Sequence, residues 1–336
     1  MTQPTFEEYR AIITPFDPLY SAIELRTSPE KPLLLAHYTS VAVLEQILRN
    51  DEVWFANPLY MNDLEEMQAG LMTGTEVFPE FCNEAGGNEA RAQILHRDYM
   101  HFFQRLSAQH VLDTYVFCLS EHTPGDTDGK LSMWREYGSK GNGAALVFNT
   151  GRLNYQPHSP LIVAKVAYKT RQERLDSIRQ TLKAWAATTK AGKLPDDRLY
   201  LASHAALSLL TSLALTTKHK GFEEEAEWRV VYLAERDSTN FFKSCRSYFV
   251  GPRGVEPKLK LKFGMSYAAA GPLAPGAAPP PPVSAGKLVD ILEFILLGPT
   301  TSSPLAKAAF QRMLEGIKPE LVDKVSTSSI PLRPSS

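Results

Sequence analysis

TYVFCL, residues Thr114 to Leu119, and GAALVF, residues Gly143 to Phe148, are the stretches on which the fold turns. Each is a short apolar run flanked by turn residues, too short for an amphipathic helix, and reads as a buried strand. Between them DGKLSMWREYGSKGNG predicts one short helix within a glycine-rich loop. Gly138, Gly141 and Gly143 there suit positive φ or close backbone approach first, and a phosphate cradle second.

Upstream, PLLLAH (Pro32 to His37) predicts the first strand, and Thr39 or Ser40 caps a helix whose Val41, Leu44, Ile47 and Leu48 share one face. Val53 to Phe55 follows as a strand. Asn57 to Met67 reads as a polar loop in which Asn62 or Asp63 caps the next helix, and Asn88 to Gln109 is helical again. Thr5 to Arg26 has a helical pattern broken by Pro15 and Pro18. Downstream come a strand at Leu161 to Tyr168, two amphipathic helices at Gln172 to Thr189 and Asp196 to Thr216, and a strand at Ala226 to Leu233. The chain closes with a strand at Ile291 to Leu297, a helix at Ser302 to Leu314 and an edge strand at Leu321 to Ser326. Neither element type dominates, which predicts an α+β fold in a single domain over 1–336. A helical extension covers 1–30, and the proline-rich run within 264–286 reads as an exposed insertion.

Composition narrows the function. With 36 Lys and Arg against 37 Asp and Glu, no global field favours nucleic acid or anionic membrane. No run reads as the roughly 18 apolar residues of a membrane span, and the N-terminus lacks a signal-peptide pattern, so a cytoplasmic protein without a membrane partner is expected. Cys82, Cys118 and Cys245 form no CxxC pair, and His96 and His101 are five apart, off a shared helix face, so no metal site is expected. Rossmann, P-loop, zincin and GxSxG signatures are absent.

The ordered blocks HYTS (His37 to Ser40), NPLYMND (Asn57 to Asp63), FCLSE (Phe117 to Glu121), MWREYG (Met133 to Gly138), KHKGFEEEAEWRVV (Lys218 to Val231), ILLGP (Ile295 to Pro299) and VSTSSIPLR (Val325 to Arg333) resemble the bacterial family called domain of unknown function 2971. That resemblance covers about 33–333 and implies a context of toxin and phage-defence systems more than a chemistry.

A more distant resemblance supplies a mechanism. A first strand ending in His-Tyr-Thr, followed by a helix and a second strand, is similar to the opening of ADP-ribosyltransferases. The resemblance implies a central, largely antiparallel split sheet flanked by helices, with NAD as substrate. It also implies that His37 anchors a ribose, that Tyr38, Thr39, Tyr60, Trp134 and Tyr137 flank the cofactor, and that Ser120 opens the second half of the site. Glu225 and Glu227 match the family's late Glu-x-Glu, with Glu227 as the catalytic carboxylate and Arg229 next in line. A strand would turn both carboxylates and Arg229 to one side and Trp228, Val230 and Tyr232 to the core. Such a glutamate stabilises the oxocarbenium-like state as the bond to nicotinamide breaks. The acceptor would be protein or nucleic acid, with an antitoxin or sensor as partner.

The same residues admit other roles. Glu225, Glu227 and Arg229 suit an ion-pair ladder, His37 a hydrogen-bonded core histidine, and the aromatics a core with satisfied tips. Lys218, His219 and Lys220 read as a contact for a phosphate or an acidic target, or as a solvated loop. The second function class is therefore a non-enzymatic nucleotide-binding or phage-sensing module of the same fold. The two differ in whether His37 and Glu227 line one pocket.

Overall fold

Strand β1 (Leu34–Ser40) passes straight into helix α3 (Val41–Asn50), and the sequence dictates the switch. The Ser40 hydroxyl accepts from the Val43 amide at 3.2 Å, and Leu44, Ile47 and Leu48 bury one helix face. Before it stand two short helices, α1 (Phe6–Ile13), with a capping box from Thr5 to Glu8, and α2 (Asp17–Ser21). This computed structural model describes residues 4–24, 31–61, 64–107, 111–139, 142–153, 160–237, 240–251, 254–267, 283–284 and 286–332. Asn62, Asp63, Gly141 and most of the proline-rich run fall outside the described residues.

The chain continues through β2 (Glu52–Ala56), helices α4 (Leu64–Val77), α5 (Pro79–Gly86) and α6 (Glu89–Arg105), β3 (Thr114–His122), α7 (Leu131–Glu136) and β4 (Gly143–Asn149). Next come β5 (Leu161–Lys165), β6 (Ala167–Lys169), α8 (Arg171–Gly192), α9 (Leu199–Leu215), β7 (Thr217–His219) and β8 (Glu227–Leu233). The hairpin β9 (Arg246–Gly251) and β10 (Gly254–Lys262) precedes the two-residue strands β11 (Ser266–Tyr267) and β12 (Val283–Ser284), whose pairing joins the flanks of the proline-rich run. The end is α10 (Leu288–Ile291), β13 (Leu292–Leu297), α11 (Pro304–Ile317) and β14 (Val325–Thr327).

The main sheet runs β14-β13-β4-β1-β3-β2-β10-β9, with β8 added to β3 and β5 to β8. Its pairs are antiparallel except β13 with β14. The α+β expectation and the largely antiparallel sheet flanked by helices both stand. The sheet opens where β3 changes partners. β1 pairs with it from His122 to Ser120 only, β2 meets it at Val116, and β8 follows its other edge throughout.

Directly opposed residues project to the same face, so register sorts the sheet into two sides. Leu35, Phe117, Leu119, Leu146, Phe148, Trp228, Tyr232 and Ile295 pack with Leu44, Phe310 and Leu314 on one side. Ala36, Tyr38, Val147 and Leu296 pack with Trp134 of α7 on the other. Further along that second side, Val116, Ile162 and Val231 meet Leu215 of α9. A separate core of Phe78, Leu95, Tyr99, Leu182, Trp185, Leu199 and Leu210 lies among the helices.

Several expectations change. Helix α9 is not amphipathic but buried nearly all round, and the window Asp196–Leu215 is long and apolar enough to cross a membrane by length and composition. That window is 83% buried inside the protein, because it is the central helix of the helical core. Leu161 to Tyr168 is two strands rather than one, and residues 64–67 belong to α4 rather than to the preceding loop. Strands β9 and β10 had no counterpart in the sequence reading.

Candidate functional site

The row Ala36–Ser120–Glu227 crosses β1, β3 and β8 side by side. Ser120 and Glu227 therefore share a sheet face with Tyr38, Cys118 and Arg229, which are two residues away on their strands. Glu225 arrives differently. It ends a 3-10 turn, and Ala226 takes left-handed φ of 42°, so strand alternation does not place it. Lys218 makes the connection instead, with Nζ 2.7 Å from Glu225 Oε2 and 3.5 Å from Glu227 Oε2. Parallel pairing of β6 with β7 sets Tyr168 beside Lys218, and the Tyr168 hydroxyl accepts from the Glu227 amide at 2.7 Å.

Glu227 is 5% exposed and held in two parallel bonds, Arg229 Nε to Oε1 at 2.9 Å and Nη2 to Oε2 at 3.0 Å. Arg229 Nη1 also donates to the Leu215 carbonyl at 2.8 Å. Such a fork restrains the carboxylate and offsets the cost of burying it. Glu225 lies nearer the rim, where its Oε1 accepts from the hydroxyl of exposed Tyr137 at 3.3 Å. Burial first, then the two carboxylates, push the Tyr137 phenol well above its ordinary range. Burial and the same carboxylates raise Tyr168 likewise.

Lys130 differs from the other cations. Its Nζ donates to Ser120 Oγ at 3.1 Å and to the Glu225 carbonyl at 3.2 Å, both neutral, while Ser120 Oγ donates to that carbonyl at 2.5 Å. Lys218 and Arg229 balance Glu225 and Glu227, and among the described residues no carboxylate lies within ion-pair distance of Lys130. Desolvation lowers its pKa, with the more distant Glu121 opposing. Its position comes from the preceding loop. Asp126 Oδ1 accepts from the amides of Asp128 and Gly129, and the Tyr38 hydroxyl accepts from the Lys130 amide at 3.0 Å. Gly129 has φ of 72°, and a Cβ there would meet the Tyr38 hydroxyl at 2.7 Å.

The structure does not bring His37 to this cluster. One residue beyond Ala36, it projects to the opposite face, where its ring lies 4.4 Å from Phe117. Its Nδ1–H donates at 3.0 Å to the Cys118 carbonyl, in the gap that opens between β1 and β2. A carbonyl only accepts, so the proton sits on Nδ1, and burial lowers the pKa. The expectation that His37 and Glu227 line one pocket is corrected by a half-turn of strand geometry. Thr39 shares the side of His37. Tyr60 follows Asn57, whose side chain binds the Thr114 carbonyl at the far end of β3, six residues or about 20 Å of strand from Ser120. Trp134 is fully buried, its Nε1 donates to the Asp128 carbonyl at 2.8 Å, and its ring meets Tyr38 edge-on, so it offers no free face.

Sequence reasoning missed Lys130 and Tyr168 and left Lys218 between a contact for a phosphate or acidic group and a solvated loop. Parity in the LIVAKVAYK and TTKHK runs was the available signal for Tyr168 and Lys218. Lys130 has no local signal, since three separate segments define its place. A separate groove of about 370 Å³ lies between α1 and the end of α8, lined by Ile12, Phe16, Thr189 and Arg198. It holds none of the clustered carboxylates, and Arg198 is already paired with Asp197 and Glu8.

A family model described as protein of unknown function (DUF2971) matches residues 133–230, from within α7 to within β8. This segment carries Tyr137, Tyr168, Lys218, Glu225, Glu227 and Arg229 of the cluster. No curated protein and no solved structure matches the chain.

Proposed function

We propose that the chain binds a phosphorylated nucleotide of the NAD or ADP-ribose kind on the sheet face bearing Ser120, Lys130, Tyr137 and Glu225, as a binding module with an ADP-ribosyltransferase-like strand layout. One observation carries this reading: Lys130 is a partly desolvated ammonium whose partners are a hydroxyl and a carbonyl. A phosphate supplies the missing counter-charge, and the exposed ring of Tyr137 offers a surface to a base or nicotinamide. The test is thermal unfolding with ADP-ribose, NAD, AMP and adenosine. Saturating phosphorylated ligand, at 100 times Kd, is expected to add about 2.7 kcal/mol, and Lys130→Met to remove that gain. Adenosine stabilising as well as AMP, or no ligand stabilising at all, refutes the reading.

One observation favours turnover as a second reading. Ser120 stands directly opposite Glu227, and Glu225 reaches the rim beside the Tyr137 hydroxyl. In that case Glu225, rather than the Arg-bound Glu227, is the carboxylate next to the oxocarbenium. NAD would then lose nicotinamide as water, or a nucleophile of the acceptor, bonds to the ribose carbon and gives up its proton, and Glu225→Gln would stop the release while leaving ADP-ribose binding in place. Nicotinamide release unchanged in Glu225→Gln excludes that role.

A further inference from the structure

The outer wing of the sheet, β2-β10-β9, carries a second surface unrelated to the cluster around Glu225. Register opposes Lys258 to Ala56 and Ser247, Lys260 to Trp54, Lys262 to Glu52 and Glu256 to Phe249, so these residues share one face. The other face of the same strands sends Val53, Phe55 and Leu259 into the core. The outward face is aromatic and basic together. Trp54 and Phe249 are 36% and 38% exposed with ring centres 6.0 Å apart, and Lys260 Nζ lies 3.9 Å from the Trp54 ring centre.

The acidic residues on this face are engaged. Glu256 pairs with Lys258 at 3.1 Å, and Glu52 accepts from the Trp54 indole at 2.7 Å. Among the described residues, Lys260 and Lys262 have no carboxylate within ion-pair distance. Alternate residues along β10 repeat about every 6.8 Å, so Lys260 and Lys262 stand next to each other on this face beside the aromatic pair, while Lys258 is held by Glu256.

We propose that this face binds single-stranded nucleic acid, with phosphates along Lys260 and Lys262 and bases stacked on Trp54 and Phe249. Charge complementarity selects that occupant over a second copy of the chain, since a like-charged lysine row facing its twin repels. Stacking on exposed rings beside a basic track is the general mode of sequence-tolerant single-strand binding, and the near-zero net charge of the whole chain leaves such binding local.

The experiment is fluorescence anisotropy of a labelled oligothymidine, and of a duplex of the same length, titrated with the full chain between about 50 and 200 mM salt. Single-strand affinity is expected to fall with a log–log salt slope near −1.4, about −0.7 for each of the two lysines. Trp54→Ala should weaken binding about tenfold while Trp54→Phe retains most of it. Lys260→Glu with Lys262→Glu should flatten the slope at an unchanged melting temperature. Equal binding of duplex, a flat slope in the parent chain, or indifference to Trp54→Ala overturns the proposal. Concentration-dependent doubling of mass without oligonucleotide binding also overturns it, and assigns the open edge of β9 to a second copy.

Discussion

His37 and Glu227 show how one residue of strand parity decides chemistry. Burial lowers the His37 pKa, so from about 6.5 down to that lowered value the unfolded chain holds the extra proton. The contribution of neutral His37 is complete above that window and is lost as pH falls through it. Denaturant unfolding at stepwise lower pH should therefore lose more stability in the parent chain than in His37→Gln, whose amide can still donate to the Cys118 carbonyl. Equal pH slopes would show that His37 titrates as it does in the unfolded chain. For Glu227 the bidentate bond to Arg229 makes even the nearly isosteric change Glu227→Gln costly. With both side chains buried, removing one charge strands the other, and the substitution should cost about 3–5 kcal/mol in urea unfolding. Replacing Glu227 and Arg229 together by apolar residues should recover much of that loss. A neutral single variant would mean that water already reaches the pair.

At the scale of elements, the join between β1 and β4 is the tightest test of the sheet. A Cβ on Gly143 would stand 2.4 Å from the Thr39 carbonyl and 2.6 Å from Gly138 Cα, both backbone atoms that cannot rotate aside. Gly143→Ala is expected to separate the strands and cost about 1–3 kcal/mol, measured as a lower urea midpoint at constant m. An unchanged midpoint would mean that the loop before β4 yields freely. The elements were also where the sequence read best. The period change at Ser40, its cap on α3 and the apolar runs of β3 and β4 are local signals of capping and burial. The GVEPKLKLK strand went unread although its second half alternates. Pro257 within it has no amide hydrogen to donate, and it is tolerated because β10 pairs there with β9 alone.

For the whole molecule, the sequence by itself determined the α+β class and most of the strands and helices. These follow from hydrophobic period and residue type, which act between neighbours. Only tertiary structure decided that His37 faces away, that Lys218 bridges both glutamates and that Lys130 joins them from a loop ninety-five positions before Glu225. Which face a strand end presents, and which cation answers which carboxylate, depend on register between distant segments. A shift of one residue reverses every side chain, and no short-range pattern records that choice.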